Sequence, residues 1–328
     1  MDRTGRKVAV VGAGTMGTTL AHVAASSGQK TTLHCEDPEV AHGMSRERRH
    51  PKHFPDRVLS PSLQPTTSLA EAVEGADIVL VAVHSTRFRA TARLLANVVS
   101  PEQVIVSTTK GIELETFAPM SEVLRAELPR NVVGALGGVN LTHDILNGQL
   151  SEIIIATNGT SDETARVATA LRTKQLTVRT TEDLRGLEVV SILKNAAAIT
   201  TAIAIGLGYS GNMAGIAISR SFREVETLGL RLGAKPSVFL DVCGLGDLFL
   251  TCVHAGSLNR RLGILLGQGR SLEEILAQLP EVPEGVNATR AAPALASTHG
   301  VDVPVLRTTR DILEGRARPS ALEDALRV

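Results

Sequence analysis

Tryptophan is absent from these 328 residues, which include one tyrosine and six phenylalanines. A core built almost without large rings must be filled by Ala, Val, Leu and Ile, which suits a parallel sheet with helices on both faces. Excess charge is also missing: 34 Lys and Arg balance 34 Asp and Glu. That balance excludes a basic nucleic-acid surface and an acidic tail for a basic partner. The three cysteines, Cys35, Cys243 and Cys252, are odd in number and far apart. They offer neither a disulfide framework nor a zinc spacing, so a reducing, cytoplasmic compartment is expected. The opening MDRTGRK leads into a strand without the pattern of a signal peptide. Asn195 to Ser219 carries no charge, but its glycines, asparagines and hydroxyls argue against a membrane span.

The length allows two ordinary domains, and no repeat or low-complexity linker separates them. Lys7–Val11 reads as a strand, followed at once by Gly12-Ala13-Gly14-Thr15-Met16-Gly17 and a helix through Leu20, Val23 and Ala24. Strand, G-x-G-x-x-G and helix in that order is the dinucleotide fingerprint in its required context. Gly12 permits the turn, Gly14 lets backbone approach a pyrophosphate, and Gly17 lets helix and strand pack closely. The helix N-terminus then offers free N–H groups to the phosphates. A second strand, Lys30–His34, ends at Cys35-Glu36-Asp37-Pro38. Glu36, or Asp37 in its place, is positioned to accept from the adenosine ribose hydroxyls. A carboxylate there repels a 2′-phosphate, favouring NAD over NADP.

Further strands are expected at Ala76–Val83, Val104–Thr108, Asn131–Leu136, Ile153–Ala156 and, as an edge, Leu176–Val178. Thr109-Lys110-Gly111 follows one of them at a strand carboxyl end, where ligands of doubly wound sheets bind. Lys110 could there meet a phosphate or a nicotinamide carboxamide, or be a surface lysine. Leu136 to Asn140 reads as a cleft loop. His42 to Arg57 reads as an exposed basic loop or flap, its histidines matching no metal-site spacing.

Beyond Gly186 the periodicity becomes helical. Gly186 to Gly208 is apolar on nearly every face, as a buried helix is, yet it contains Lys194 and Asn195. A buried ammonium must be paired, neutralised or used, and burial lowers its pKa toward the range useful for proton transfer. The other reading is a structural ion pair. Ile218, Phe222, Val225, Leu228 and Leu232 form one helix face. Asp247 falls at a helix N-terminus, where capping alone could explain it. Ser271 with Glu274 forms a capping box, and Val303–Leu313 reads as a late helix.

GAGTMGTTLA from Gly12, TKGIE at Thr109, LKNAAAI at Leu193, GLGDLFLTC at Gly244, LNRRLGILLGQG at Leu258 and PEGVNA at Pro283 together resemble the bacterial-type NAD(P)-dependent glycerol-3-phosphate dehydrogenases over nearly the full chain. The resemblance implies an α/β fold: a Rossmann-like doubly wound sheet over 1–185, then an all-α substrate domain over 186–328 like the C-terminal domain of 6-phosphogluconate dehydrogenase. It implies a homodimer acting on a small molecule, with hydride passing between NAD(P)(H) and C2 of dihydroxyacetone phosphate or sn-glycerol 3-phosphate. Lys194 would be the proton donor and acceptor, Lys110 would hold the carbonyl or cofactor, and Asp247 would orient Lys194 and the substrate hydroxyl. Asn195 and Thr251 would line the pocket. Gly137 would lie beside the substrate, with Ser257 and Asn259 near its phosphate. Thr15, Met16, Leu141, Leu258, Val282 and Glu284 match cofactor-side positions.

The chain also departs from the family pattern. Ser257-Leu258-Asn259 stands where the family has S-R-N, removing an arginine that reads phosphate, which leucine cannot replace; Arg260 or Arg261 could reach in instead. Gly137-Gly138-Val139-Asn140-Leu141 replaces G-P-S-F-A, Met16 replaces an aromatic, and Val83-His84-Ser85 replaces V-P-S. His50-Pro51-Lys52-His53-Phe54-Pro55-Asp56 replaces N-x-x-Y-L-P-G. Three readings stay open: this dehydrogenase with a compensated phosphate site; a sister dehydrogenase on another small ketone, favoured if His50, His53 and His84 cluster; or a non-catalytic NAD-binding regulator.

Overall fold

The structure is a computed structural model describing residues 5–327. The chain forms two compact units, one of the residues up to Thr109 with Met120–Leu184, the other of Lys110–Pro119 with Arg185 onward.

The first unit is built from β1 (Lys7–Val11), α1 (Thr15–Ser26), β2 (Lys30–His34), α2 (Pro38–Glu47), β3 (Leu63–Thr66), α3 (Leu69–Val73), β4 (Ile78–Val81), α4 (Ser85–Leu95), β5 (Val104–Ser107), α5 (Met120–Glu127), β6 (Val132–Val139), α6 (Thr142–Leu146), β7 (Ser151–Thr157), α7 (Ser161–Leu171) and β8 (Leu176–Thr180). Its eight strands run in the order β3-β2-β1-β4-β5-β6-β7-β8. All neighbours are parallel except β6 and β7. The central strands β4 and β5 are buried at every residue and made mostly of Val, Ile and Leu, as a sheet covered on both faces requires. The order reverses between β1 and β4, whose carboxyl ends form the switch point of a doubly wound sheet.

Two expectations are corrected here, and one strand was not foreseen. Leu136 to Val139 is strand, not loop: Gly137 pairs with Ile154 and Gly138 with Ile153 across the antiparallel β6–β7 ladder. Gly138 adopts φ +120, and a Cβ there would lie 2.5 Å from the Glu152 carbonyl oxygen, so two backbones meet where side chains would separate them. The stretch His42 to Arg57 is not wholly exposed: it begins inside α2, and His50 (1% exposed) and Phe54 (4%) are buried. Strand β3 gave no recognisable signal, being four residues with Pro65 inside, which only an edge strand tolerates.

The second unit contains α8 (Leu184–Gly206), α9 (Gly211–Arg231), a 3₁₀ turn at Pro236–Val238, a π turn at Val242–Gly246, α10 (Asp247–Val253), α11 (Leu258–Gly267), α12 (Leu272–Leu276), α13 (Glu284–Thr298), α14 (Pro304–Leu313) and α15 (Ala321–Ala325). Every residue of α8 from Gly186 to Ala204 is buried. This helix is long and apolar enough to cross a membrane, but 89% of its most apolar window is enclosed by protein. Ile199 and Ile203 of α8, Leu262 and Leu266 of α11, Val286 of α13 and Val305 and Ile312 of α14 share one core. The α8–α11 crossing has no room for side chains: a Cβ at Gly263 would lie 2.5 Å from Ala202 Cβ, and one at Gly267 2.3 Å from the Ile203 oxygen. On α9 the buried face is Ala217, Ser221, Val225, Leu228 and Gly229, leaving Ile218 and Phe222 of the expected face at its half-buried margin.

The α8–α11 contact yields a direct check. Gly263→Ala overpacks a rigid crossing and is expected to lower the unfolding free energy by about 1–3 kcal/mol, read from chemical denaturation. An unchanged midpoint would show that the helices do not lie this close.

Candidate active site

In the second unit, Asp247 opens α10 after the π turn, and Thr251 one turn later falls on the same face. Both are buried, Asp247 at 4% exposure and Thr251 at 8%. The Asp247 Oδ2 accepts from two lysines: Lys110 Nζ at 2.8 Å and Lys194 Nζ at 3.0 Å. Lys194 also donates to Thr251 Oγ1 at 2.7 Å, and that hydroxyl donates to the Asp247 carbonyl oxygen at 2.6 Å. The threonine proton is thus committed to the backbone, so its oxygen can only accept from Lys194. Two of the three ammonium protons are engaged in this way.

Two lysines thus share one carboxylate oxygen. Burial opposes ionisation of Asp247, but the ammonium groups of Lys110 and Lys194 outweigh it and hold the carboxylate below its usual range. Lys194 bears the imbalance. Burial pushes its pKa down, Asp247 opposes that, and Lys110 adds repulsion, leaving it at about 8. A buried lysine poised there can give and take a proton near neutral pH.

Asn195 follows on α8. Its Nδ2 donates to the Ser191 carbonyl oxygen at 3.2 Å, and its Oδ1 accepts from Asn259 Nδ2 at 3.1 Å. Asn259 Oδ1 accepts in turn from the Gly285 N–H at 3.2 Å, so one amide links α8, the first turn of α11 and the start of α13. Ser257 caps α11 by accepting from the Arg260 N–H. Leu258 is the first residue of that helix, and Glu284 the first of α13. Val282 is 42% exposed. The linking role of Asn259 carries no sequence signal; it depends on Gly285, whose Cβ would lie 2.2 Å from Asn259 Oδ1.

In the first unit the glycine loop has the geometry a pyrophosphate needs. Gly12 adopts φ +108 with its Cβ position 2.5 Å from the Ala82 oxygen, and a Cβ on Gly17 would lie 1.9 Å from the Gly12 oxygen. A Cβ on Gly14 would meet nothing within 4 Å. Gly14 is also the N-cap of α1 and supplies no side-chain cap, so the helix start, with Thr15 and Met16, presents its N–H groups to open space. These residues fit a dinucleotide. Glu36, beyond β2, holds Arg87 of α4 through both carboxylate oxygens at 2.6 Å. The arginine bond keeps Glu36 below the usual carboxylate range. Asp37 caps α2 instead.

Lys110, Lys194, Asn195, Asp247, Thr251, Ser257, Leu258, Asn259, Val282 and Glu284 therefore belong to one unit, while Gly12, Gly14, Thr15, Met16, Gly17, Glu36, Gly137 and Leu141 belong to the other. The His50 and His53 rings are 4.7 Å apart, and His84 caps α4.

A switch-point glycine loop on a mainly parallel sheet, followed by a helical unit with a buried lysine on a carboxylate, is the arrangement of a dinucleotide-dependent oxidoreductase. Residues 7–163 match the family described as NAD-dependent glycerol-3-phosphate dehydrogenase N-terminus, and residues 183–324 its C-terminus. The chain belongs to the NAD-dependent glycerol-3-phosphate dehydrogenase family. It is 35% identical over 321 residues to the glycerol-3-phosphate dehydrogenase (NAD(P)+) of Ectopseudomonas mendocina, covering 98% of this chain and 94% of that one. It is 37% identical over 308 residues to the enzyme of that name from Moorella thermoacetica, covering 93% and 91%. The crystal structure of glycerol-3-phosphate dehydrogenase from Coxiella burnetii superposes with a TM-score of 0.91 at 27% identity, covering 99% of this chain and 98% of that one.

The shared carboxylate predicts an asymmetry in stability. Asp247→Asn removes the carboxylate that pairs with the buried Lys194 ammonium and with the half-buried Lys110, and is expected to cost about 3–5 kcal/mol at neutral pH. Lys194→Met leaves Lys110 and Asp247 as a balanced pair and should cost far less. Urea denaturation of both variants measures the difference, and equal losses would contradict the charge count.

Proposed function

We propose that the protein interconverts dihydroxyacetone phosphate and sn-glycerol 3-phosphate with NAD(H), and that Lys194 is its acid and base. The observation that supports this most is the burial of Lys194 on a carboxylate oxygen it shares with Lys110: burial first, and Lys110 in addition, lower its pKa to about 8 against the pull of Asp247. NAD(H), when bound, supplies or accepts the hydride at C2. In reduction, the C2 carbonyl oxygen takes a proton from the third Lys194 N–H as the hydride arrives, forming the alcohol and leaving a neutral amine. In oxidation the amine takes that proton back. Lys110 holds the substrate oxygen or the cofactor, Asp247 and Thr251 fix the Lys194 amine, and Asn195 lines the pocket. Gly12, Gly14, Thr15, Met16 and Gly17 hold the pyrophosphate, and Glu36 the adenosine ribose. Leu141, Leu258, Val282 and Glu284 serve the cofactor side, and Gly137 the substrate side. NAD is the preferred form, although Arg87 offsets part of the charge with which Glu36 would repel a 2′-phosphate.

The substrate phosphate is assigned to the first turn of α11, with Ser257 and Asn259 beside it. Leu258 contributes no charge there. Arg260 supports a compensated site, because its buried Nε finds no acceptor among the described residues and its charge bears on Cys252, which also feels Lys194. The free, buried cysteines fit a cytoplasmic enzyme. A homodimer is supported by exposed apolar side chains on and just before α10: Phe249 (61% exposed) and Val253 (53%) on the helix, Leu245 (44%) in the π turn and Leu240 (78%) ahead of it in sequence. An uncharged apolar strip suits a two-fold contact, in which each patch meets its own copy.

With NADH and dihydroxyacetone phosphate, the protein should turn over, and Lys194→Ala should lose ~10²–10⁴-fold or more. Reduction needs the ammonium and should fall as pH rises through about 8; oxidation needs the neutral amine and should rise over the same range. No turnover with this ketone, alongside turnover of an unphosphorylated one, would favour the sister dehydrogenase. Phe249→Glu should convert a dimer to monomer in sedimentation velocity, and a wild-type monomer would remove the dimer assignment.

A further inference from the structure

We propose that His50 is a positioning residue for the glycine loop, holding the Ala13–Gly14 peptide in the orientation that the cofactor meets. The inference rests on the reading of Gly12 to Gly17 as the cofactor loop. His50 lies in the segment between α2 and β3 and is 1% exposed. Its Nδ1 accepts from the Lys52 N–H at 3.2 Å and from the His53 N–H at 3.1 Å. That nitrogen therefore carries no proton, so the proton is on Nε2. Nε2 lies 2.8 Å from the Ala13 carbonyl oxygen and donates to it.

Both ring nitrogens are thus committed to backbone, one to the histidine's own loop and one to the nucleotide loop. Burial keeps the ring from protonating, with the neighbouring His53 adding to that effect and the Ala13 bond opposing it. His53 and Phe54 enclose the ring, and His143 packs on Phe54 from α6 at 5.4 Å. Because the peptide is trans, turning the Ala13 carbonyl onto His50 turns the Gly14 N–H the opposite way. Gly14 is the position whose Cβ direction is open space. The imidazole thereby fixes in advance a peptide that would otherwise have to be ordered on binding, which is how preorganisation raises affinity. The family pattern that the sequence resembles has asparagine at this position. An asparagine amide reaches about as far as Nδ1, whereas a glutamine amide reaches about as far as Nε2.

That difference in reach supplies the test. The protein has no tryptophan, so NADH fluorescence titration can be read without transfer from indole. His50→Asn keeps the acceptor for Lys52 and His53 but loses the donor to Ala13, and NADH affinity is expected to fall about tenfold. His50→Gln keeps that donor and should stay within about threefold of wild type. Melting temperatures establish that each variant is folded. Gly14→Val, which the open space around that Cβ lets the apo fold accept, should abolish NADH binding. Wild-type affinity in His50→Asn, or equal losses in His50→Asn and His50→Gln, would overturn the role of His50 while the loss in Gly14→Val upheld the loop. Wild-type affinity in Gly14→Val would overturn the loop reading itself.

Discussion

One carboxylate oxygen shared by two ammonium groups is the constraint on which the site depends. Asp247 Oδ2 can neutralise one of them, so the more deeply buried lysine carries a proton that its surroundings disfavour. Desolvation alone would lower the pKa of Lys194 and pairing alone would raise it. Desolvation is the larger of the two, and the second lysine adds to it. The helical unit is arranged around this: α8 supplies the amine from inside the core, α10 supplies Asp247 and Thr251 one turn apart, and Lys110 comes from a segment that lies between β5 and α5 in sequence yet joins the helical unit.

Much of this was legible in the sequence because it depends on local order. The glycine spacing after an apolar strand specified the turn, the open cradle and the close packing that Gly12, Gly14 and Gly17 show. A helix apolar on all faces with a lysine inside it marked α8, and GLGDLFLTC put Asp247 and Thr251 on one face by its i,i+4 spacing. The electrostatics of the cluster were less accessible. That Lys110 reaches Asp247, 137 positions away, is a fact of tertiary structure with no periodic signal.

What sequence reasoning misplaced has the same physical origin. Gly137 and Gly138 look like loop residues, but here they allow two antiparallel strands to approach, a use of glycine that only the partner strand reveals. His50 and Phe54 are embedded in a basic, proline-containing stretch whose composition suggests solvent, yet both are buried. The bonds of the Asn259 amide to Asn195 and to Gly285, which tie α11 to α8 and α13, likewise depend on partners far away in sequence.

The departures from the family pattern fall mainly on residues that would read the substrate's anion and on the loop near the dinucleotide turn; the lysines, Asp247 and Thr251 are unaltered. The proposed proton transfer can therefore be tested apart from anion recognition, and without a substrate. The most direct measurement is the titration of Lys194 followed by NMR of lysine side chains, assigned by the signal missing in Lys194→Met. A midpoint near 8, below that of exposed lysines near the ordinary ~10.4, is the expected result. A Lys194 midpoint at or above the ordinary value would contradict the shared-carboxylate account.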